Sequence, residues 1–381
     1  MTEIQIRLID VADLYYSAYY YEGFDRLSRA DSRLGEVALR TNVSLNIPAT
    51  IKNALQDKNA RHLLFAISIY SIRTDSVEYF ICIDAHDSNK TAGISDHTEG
   101  YHRSLLKVVD RYYKVNFNED FLKHSDLPLA LQQKVRPIAQ FAPIKTSAIL
   151  PFCKRIIFPL NPIRIKPGLS HSKPYSGFWQ DVLQRIRRLR KLQSLDQLLK
   201  LRYEPKTNDI FFVTSYRPNP RHKAAMELRH SLMELINKKP HLHCTIGFTS
   251  HAHIPPQYRE MEQPRLSQAD YLKAMSRAKI VIYTQGMDGC ISSKFLLAMS
   301  AGCVMVGDPI NNNTDMMAKH THLKDQFGYS NPSTVVDSAI AILSESSSLE
   351  RLSRLNLELF DNYLSPTKAA QWILEDLGLV A

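Results

Sequence analysis

The chain has 381 residues, more than a single hydrophobic core usually serves, so we expect two domains. Its 44% hydrophobic and 23% charged residues are typical of a soluble globular protein. No apolar run approaches the roughly 18 residues of a membrane span, and the N-terminal residues lack the apolar core of a signal peptide. Five scattered cysteines form no CxxC pair. These features predict a cytoplasmic protein with reduced thiols.

The predicted strands of the N-terminal half cover 4–9, 62–69, 78–84, 112–117 and 155–160, and a helix is predicted over 101–112. A polar loop follows the third strand. Four prolines between Pro159 and Pro174 then indicate a linker. We therefore expect an N-terminal, acceptor-side α/β domain over 1–158.

The net charge of +10 is concentrated between Lys154 and Lys206, where 13 Lys and Arg residues stand against three acids. Within this segment, 180–203 carry apolar residues at helical spacing with arginines between them, which predicts a basic amphipathic helix. Such a helix can lie on an anionic membrane surface, or it can be a solvated helix on the outside of a domain. No aromatic residues alternate with the arginines, so single-stranded nucleic acid is a weak alternative. The linker and this helix together span 159–207.

Strands and helices alternate more regularly after the linker. Strands are predicted over 208–215, 242–248, 279–285 and 303–306, with helices over 221–239 and 267–278 and a third one from Ser293. This alternation predicts a parallel sheet covered on both sides, formed by 208–362, and a C-terminal helix over 363–381. Ligands of such sheets bind beyond the carboxyl ends of the strands.

The most informative stretch is "ISSKFLLAMSAGCVMVGDP", residues 291–309. Four of the 13 glycines lie between Gly286 and Gly307, around a predicted helix start at Ser292 and Ser293. Lys294 then stands in the first turn, where the helix dipole favours an anion over a cation. A lysine at this position indicates that an anion shares the site, although an ordinary packed helix with a capping serine is the alternative.

The segment "YLKAMSRAKIVIYTQGMDGCISSKFLLAMSAGCVMVGDP" resembles the nucleotide-sugar-binding domain of GT-B glycosyltransferases, which consist of two facing Rossmann-like domains. The likeness covers roughly 208–361. It implies an α/β fold of this type with C-terminal helices packing back on the first domain. It also implies transfer of a sugar from a nucleotide diphosphate-sugar to a glycan, lipid-linked or protein acceptor, as in the synthesis of a surface glycan.

Two details refine the resemblance. Retaining members often carry two glutamates where this chain has Gly289 and Leu297, so the usual ribose-binding glutamate is missing. The "S-x-K-F" form is similar to fucosyltransferase-like and exostosin-like members, whose lysine contacts the donor diphosphate. The second detail favours an inverting mechanism. The missing glutamate keeps open a non-catalytic relative that binds sugar nucleotides or glycans.

Residues that follow the predicted strands are the candidates for donor binding. A leaving diphosphate gains negative charge as the glycosidic bond breaks, and catalysis needs positive groups that meet it. Fixed cations can do this without a divalent metal or other cofactor, and no DxD motif stands in a suitable place. The candidate donor-binding residues are Ser215, Arg217, Arg221, Gln285, Gly286, Asp288, Ser292, Ser293 and Lys294.

An inverting transferase needs a base that deprotonates the acceptor hydroxyl. The resemblance implies that this base comes from the N-terminal domain, and the best-placed residues lie at the carboxyl end of the strand predicted over 78–84: Asp84, His86 and Asp87. His97 and Glu99 on the same loop are weaker candidates. Solvation of a surface loop is the alternative interpretation for each of them.

Two further clusters are ambiguous. Five N-terminal tyrosines either line an acceptor cleft or belong to the core: Tyr15, Tyr16, Tyr19, Tyr20 and Tyr21. Four histidines form two His-x-His pairs that could bind zinc: His241, His243, His251 and His253. One pair begins a strand and the other lies in a loop, so no metal site is expected there.

Overall fold

A computed structural model describes residues 3–11, 13–35, 38–39, 47–57, 60–87, 100–146, 184, 186–250, 254–286, 289–313, 319–329 and 331–380. These residues form two α/β halves, each built on its own sheet. The α/β class predicted from the sequence is confirmed.

The N-terminal sheet has six strands in the order β2-β1-β3-β4-β5-β6. The pairs β1/β3 and β3/β4 are antiparallel and the others are parallel, so this sheet is mixed. Its strands are β1 (Gln5–Val11), β2 (Ala38–Leu39), β3 (Ile67–Arg73), β4 (Glu78–Asp84), β5 (Arg111–Lys114) and β6 (Val135–Pro137). Its helices are α1 (Leu14–Ala30), α2 (Ala49–Ala54), α3 (Arg103–Val108), α4 (Glu119–Lys123) and α5 (Leu129–Gln132).

The C-terminal sheet has four parallel strands in the order β10-β9-β7-β8. The strands are β7 (Asn208–Ser215), β8 (Cys244–Thr249), β9 (Ala278–Tyr283) and β10 (Val304–Gly307). The helices of this half are α6 (Leu195–Lys200), α7 (Lys223–Asn237), α8 (Gln268–Ser276), α9 (Ser293–Ser300), α10 (Pro332–Ser344) and α11 (Ser346–Leu359). This is the Rossmann-like topology that the strand and helix alternation predicts.

Alternation along β7 explains why both faces of this sheet are covered. Ile210 and Phe212 pack with residues of α7 and α10, whereas Phe211 and Val213 belong to a cluster that includes α8 and α9. That second cluster continues through α1 and into the N-terminal sheet. The two halves therefore share one continuous apolar core.

The last helix, α12 (Pro366–Asp376), returns to the N-terminal half, as the sequence predicts. It follows a π-helical turn at Phe360–Leu364 and packs against α1. Gly23 allows this close approach, because a Cβ atom there would stand 2.0 Å from the Pro366 carbonyl oxygen. Asp376 accepts hydrogen bonds from Arg111, Tyr113 and Arg136, which fixes the end of the helix to β5 and β6.

The basic segment is not the single helix that its periodicity predicts. Residues 186–190 are helical, but the helix stops before Ser194, which caps α6 in a reciprocal bond with Gln197. The backbone between them pairs instead with Lys145, whose amide donates to the Gln193 carbonyl over 2.8 Å. The apolar stripe over 186–198 is buried in the core. A membrane contact through 180–203 stays a prediction that rests on the exposed arginines alone.

Other boundaries also differ from the sequence predictions. The strand predicted over 62–69 begins only at Ile67, because Arg61–Ala66 form a 3-10 helix. The helix predicted over 101–112 ends at Val108, and β5 starts at Arg111. The strand predicted over 155–160 and the four linker prolines lie outside the described residues. Within the described part of the chain, no helix is long and apolar enough to cross a membrane.

Candidate functional site

A cleft lies at the carboxyl ends of the C-terminal strands. The chain leaves β7 toward β8 on one side and returns to β9 on the other, so the strand order reverses between β7 and β9. Ligands of open parallel sheets bind at this kind of switch point. A cavity of about 660 Å³ opens there, and residues of both halves line it.

Helix α9 begins at the floor of this cleft. Ser292 is its N-cap, with extended backbone angles, and its side chain makes no capping bond. The preceding loop turns at Gly289, whose φ of +72° favours glycine, and the helix is followed by Gly302 at +65°. Ser292 and Ser293, at the start of α9, both line the cavity.

Lys294 occupies the first turn of α9, as predicted, and lines the cleft. Its Nζ donates to the Val213 carbonyl oxygen at 3.1 Å and lies 5.5 Å from the centroid of the Phe212 ring. Burial lowers the pKa of Lys294 to about 7, and the nearby charge of Arg229 adds to this effect. The lysine thus lies in a partly dehydrated site, where its hydrogen-bond acceptor is an uncharged carbonyl oxygen.

Arg229 is a second cation of the site and was not among the predicted residues. It projects from α7, where its Nε donates to Thr284 Oγ1 at 3.1 Å and its guanidinium donates to the Gln285 carbonyl at 3.2 Å. Burial lowers its pKa, and Asp308 opposes that shift. The sequence did contain a signal, since Arg229 lies three residues after Met226 and four before Met233, both of which are buried on the helix.

The remaining predicted donor residues fall into two groups. The cleft lining includes Ser215, Arg217, Gln285, Gly286, Ser292 and Ser293. The Gln285 side chain donates to the Pro309 carbonyl, and its backbone amide donates to Asp308 Oδ2 at 2.8 Å. Asp288 and the side chain of Arg221 lie outside the described residues.

The loop that leads into α9 is held by the N-terminal half. The Ile291 amide donates to Asn116 Oδ1 at 2.9 Å, and its carbonyl accepts from Gln140 Nε2. Both partners are buried in the N-terminal half, at 0% and 3% exposure. Ile291 directly precedes the N-cap Ser292. The position of the α9 N-terminus is therefore tied to how the two halves sit against each other.

The three candidate bases occupy different environments. Asp84 is fully buried, because strand pairing places it opposite Lys114. Its carboxylate contacts Lys114 Nζ at 3.1 Å and accepts from the Tyr112 hydroxyl at 2.5 Å. His86 packs on Phe65 beside this pair. Of the three, Asp87 alone is part of the cleft lining, while His97 and Glu99 lie outside the described residues.

The five tyrosines of α1 divide between cleft and core. Tyr15 and Tyr16 line the cavity. Tyr19, Tyr20 and Tyr21 are buried, and the first two donate to the backbone carbonyls of Leu364 and Ala139. Two of the five tyrosines therefore line a cleft, and the other three belong to the core.

Among the residues that the structure describes, no group of three or more His, Cys, Asp or Glu side chains is placed to hold a metal ion. His251 and His253 lie outside those residues, so the two His-x-His pairs cannot be compared in space.

No family model and no curated protein sequence matches the chain. Many solved structures are distantly similar to it, among them these three. The Staphylococcus aureus MnaA–UDP co-structure shares 10% identity, with 97% of this chain and 95% of that chain covered and a TM-score of 0.40. The UDP-GlcNAc 2-epimerase from Neisseria meningitidis, bound to UDP-GlcNAc, shares 10% identity at 95% and 97% coverage and a TM-score of 0.41. The T4 phage BGT mutant in complex with UDP-glucose shares 12% identity at 78% and 88% coverage and a TM-score of 0.35.

The burial of Lys294 has a measurable consequence for stability. Its folded-state pKa of about 7 lies below the ordinary value of 10.5, so the unfolded chain binds more protons between these values. The stability of the wild type therefore rises with pH across this window. Lys294→Met lacks the titrating group. We expect the free energy of unfolding of the variant to exceed that of the wild type by the largest amount at pH 6. This difference should be much smaller at pH 9.5, as measured by urea denaturation.

Lys200→Met is the matched control, because Lys200 is exposed on α6. Its stability difference from the wild type should stay constant over the same pH range. A Lys294→Met difference that is equally constant would contradict the buried, partly neutral lysine.

Proposed function

We propose that this protein is a glycosyltransferase that moves a sugar from a nucleotide diphosphate-sugar to an acceptor, by an inverting mechanism that needs no divalent metal. The observation that carries the proposal is the placement of Lys294 and Arg229 at the switch point of the parallel sheet, where each side chain donates to neutral oxygens of described residues. Nucleotide diphosphates are the anions that suit such a site.

The two cations match the chemistry of the leaving group. A nucleotide diphosphate-sugar gains negative charge on the phosphate oxygen when its glycosidic bond breaks. Lys294, Arg229 and the α9 amides offer fixed positive groups at one place, and Arg217 adds a guanidinium at the rim. None of these three side chains forms a salt bridge with a described residue, although the Asp308 carboxylate lies close enough to oppose the lowering of the Arg229 pKa. A bound diphosphate would add an anion in direct contact with them.

Asp87 is the general base in this proposal. It lines the same cleft from the N-terminal half, whereas Asp84 is held by Lys114 in the core. In the proposed reaction the acceptor hydroxyl attacks the anomeric carbon, and its proton passes to Asp87. The bond from the anomeric carbon to the phosphate oxygen breaks, and the diphosphate leaves with the electron pair. This single displacement inverts the anomeric centre.

The main alternative is a relative that binds a sugar nucleotide without transferring it. It shares the cation site and differs only in the absence of a working base. Nucleic-acid binding through 154–206 has less support, because the apolar stripe of that segment is part of the core and Arg188 lines the cleft. A cytoplasmic site of action, at or near the inner face of a membrane, accords with the proposed nucleotide-sugar donor.

The donor assignment predicts the effect of Arg229→Gln. This change removes charge-assisted hydrogen bonds to the diphosphate worth about 1.5–3 kcal/mol, which corresponds to roughly a ten- to hundredfold weaker affinity. A screen of UDP-, GDP-, ADP- and dTDP-sugars by thermal shift identifies the donor, and calorimetry then compares the variant with the wild type.

Arg277→Gln is the control for this experiment, since Arg277 pairs with Glu204 and does not line the cleft. It should bind the donor like the wild type. If no sugar nucleotide stabilises the wild type, or if Arg229→Gln binds with unchanged affinity, the proposed donor site is wrong.

The base assignment predicts a different pattern for Asp87→Asn. The variant should keep its donor affinity and lose roughly 100-fold or more in transfer rate, the usual contribution of a positioned general base. Asp84→Asn should instead lower the stability of the fold, because it leaves Lys114 without its buried counter-charge. Full turnover by Asp87→Asn would exclude it as the base, and donor binding by a wild type that transfers to no acceptor would favour the non-catalytic alternative.

A further inference from the structure

The N-terminal wall of the cleft carries a cation that the donor chemistry does not use. Arg188 lies on the helical stretch 186–190 and lines the cavity together with Tyr15, Tyr16 and Asp87. The donor cations Lys294 and Arg229 belong to the opposite, C-terminal wall. The basic segment thus contributes one of its charges to the site itself.

Arg188 is fixed in orientation by an aromatic ring. Its guanidinium carbon stands 3.2 Å from the centroid of the Tyr15 ring, a stacked cation–π contact. Tyr15 in turn packs edge-on against Tyr16, which is wedged between Phe65 and Phe141. Stacking uses the face of the guanidinium and leaves its N–H edge for hydrogen bonds.

Within the described part of the chain, no carboxylate lies within salt-bridge distance of Arg188, and its side chain is exposed to the cleft. A guanidinium whose face is fixed and whose edge is open matches the two oxygens of a carboxylate or a phosphate. The cleft lining also includes Gln140, which is 3% exposed and whose side-chain oxygen has no hydrogen-bond partner among the described residues. That oxygen can accept a hydrogen bond from a hydroxyl group.

We propose, on the basis of the proposed transferase function, that the acceptor is an anionic glycan. Its carboxylate or phosphate binds the edge of Arg188, and a hydroxyl of the same molecule binds Gln140. A sugar ring with these two groups covers the tyrosine-lined wall, which places its reacting hydroxyl on the side of Asp87. Arg188 selects the charged acceptor and takes no part in holding the donor.

The test uses the full chain and a printed array of matched neutral, uronic-acid and phosphorylated oligosaccharides. The wild type should bind one charged class at least tenfold more tightly than its neutral counterpart. Comparison of the uronic-acid and phosphorylated oligosaccharides then shows whether the bound group is a carboxylate or a phosphate. Arg188→Gln should lose this preference, and Arg188→Lys should recover only part of it, because a lysine lacks the planar fork. Arg187→Gln is the control, since Arg187 is exposed but does not line the cleft.

Donor affinity separates this proposal from the proposed function. Arg188→Gln should bind the donor sugar nucleotide like the wild type. A parallel loss of donor affinity would assign Arg188 to the donor and overturn the proposal, as would equal binding of neutral and charged glycans or binding of none. If charged glycans bind through Arg188 but no sugar nucleotide binds, the acceptor site stands and the transferase function fails.

Discussion

The cost of removing two basic side chains, those of Lys294 and Arg229, from water governs the organisation of this site. Arg229 lies close enough to Lys294 to lower the lysine pKa, and within the described part of the chain both side chains donate to backbone and hydroxyl oxygens. The Asp308 carboxylate also acts on Arg229, but it forms no salt bridge with it. Such an arrangement lowers the stability of the ligand-free fold, because charges lose hydration on burial. A bound anion offsets this unfavourable electrostatic free energy, and that offset contributes to the binding affinity. The shared core and the packed-back helix α12 hold the two halves around these charges.

The junction between the halves adds a second constraint. Asn116 and Gln140 bind both backbone groups of Ile291, directly before the N-cap of α9. The donor-facing helix terminus therefore depends on side chains of the N-terminal half. A change in the angle between the halves would move the α9 terminus or break these bonds. If the proposed donor binds at the α9 terminus, this contact couples its binding to the orientation of the two halves.

Much of the C-terminal half follows from its sequence. The strand predicted over 208–215 is present with the same bounds, since a continuous apolar run between polar ends has few alternatives. The position of Lys294 in the first turn of a helix was also predicted, because two serines before it indicate a helix start. A lysine there departs from the usual charge preference of a helix start, which indicates an anion nearby. Periodicity was less informative over 62–69, where an apolar run is compatible with the 3-10 turn that is present before β3.

The environments of Asp84, Arg229 and Arg188 could not be predicted, for one physical reason. A sequence read along the chain does not show which strands and helices pack against each other in space. Asp84 looks like a loop base until β4 pairs with β5 and brings Lys114 opposite it. Arg229 looks like a solvated helix residue until α7 packs on the sheet. Arg188 looks like part of a membrane-binding or nucleic-acid-binding surface until the apolar side of its segment is buried. Each residue acquires its role from a partner distant in sequence.

Proton uptake on donor binding tests the central claim most directly. At pH 8 a lysine with a pKa near 7 is mostly neutral, and a bound diphosphate must raise that pKa. Calorimetry of the donor sugar nucleotide in buffers of different ionisation enthalpy should therefore show uptake that approaches one proton at pH 8 and falls at pH 6. Lys294→Met should show none at either pH. Tight binding by the wild type without proton uptake at pH 8 would contradict the account.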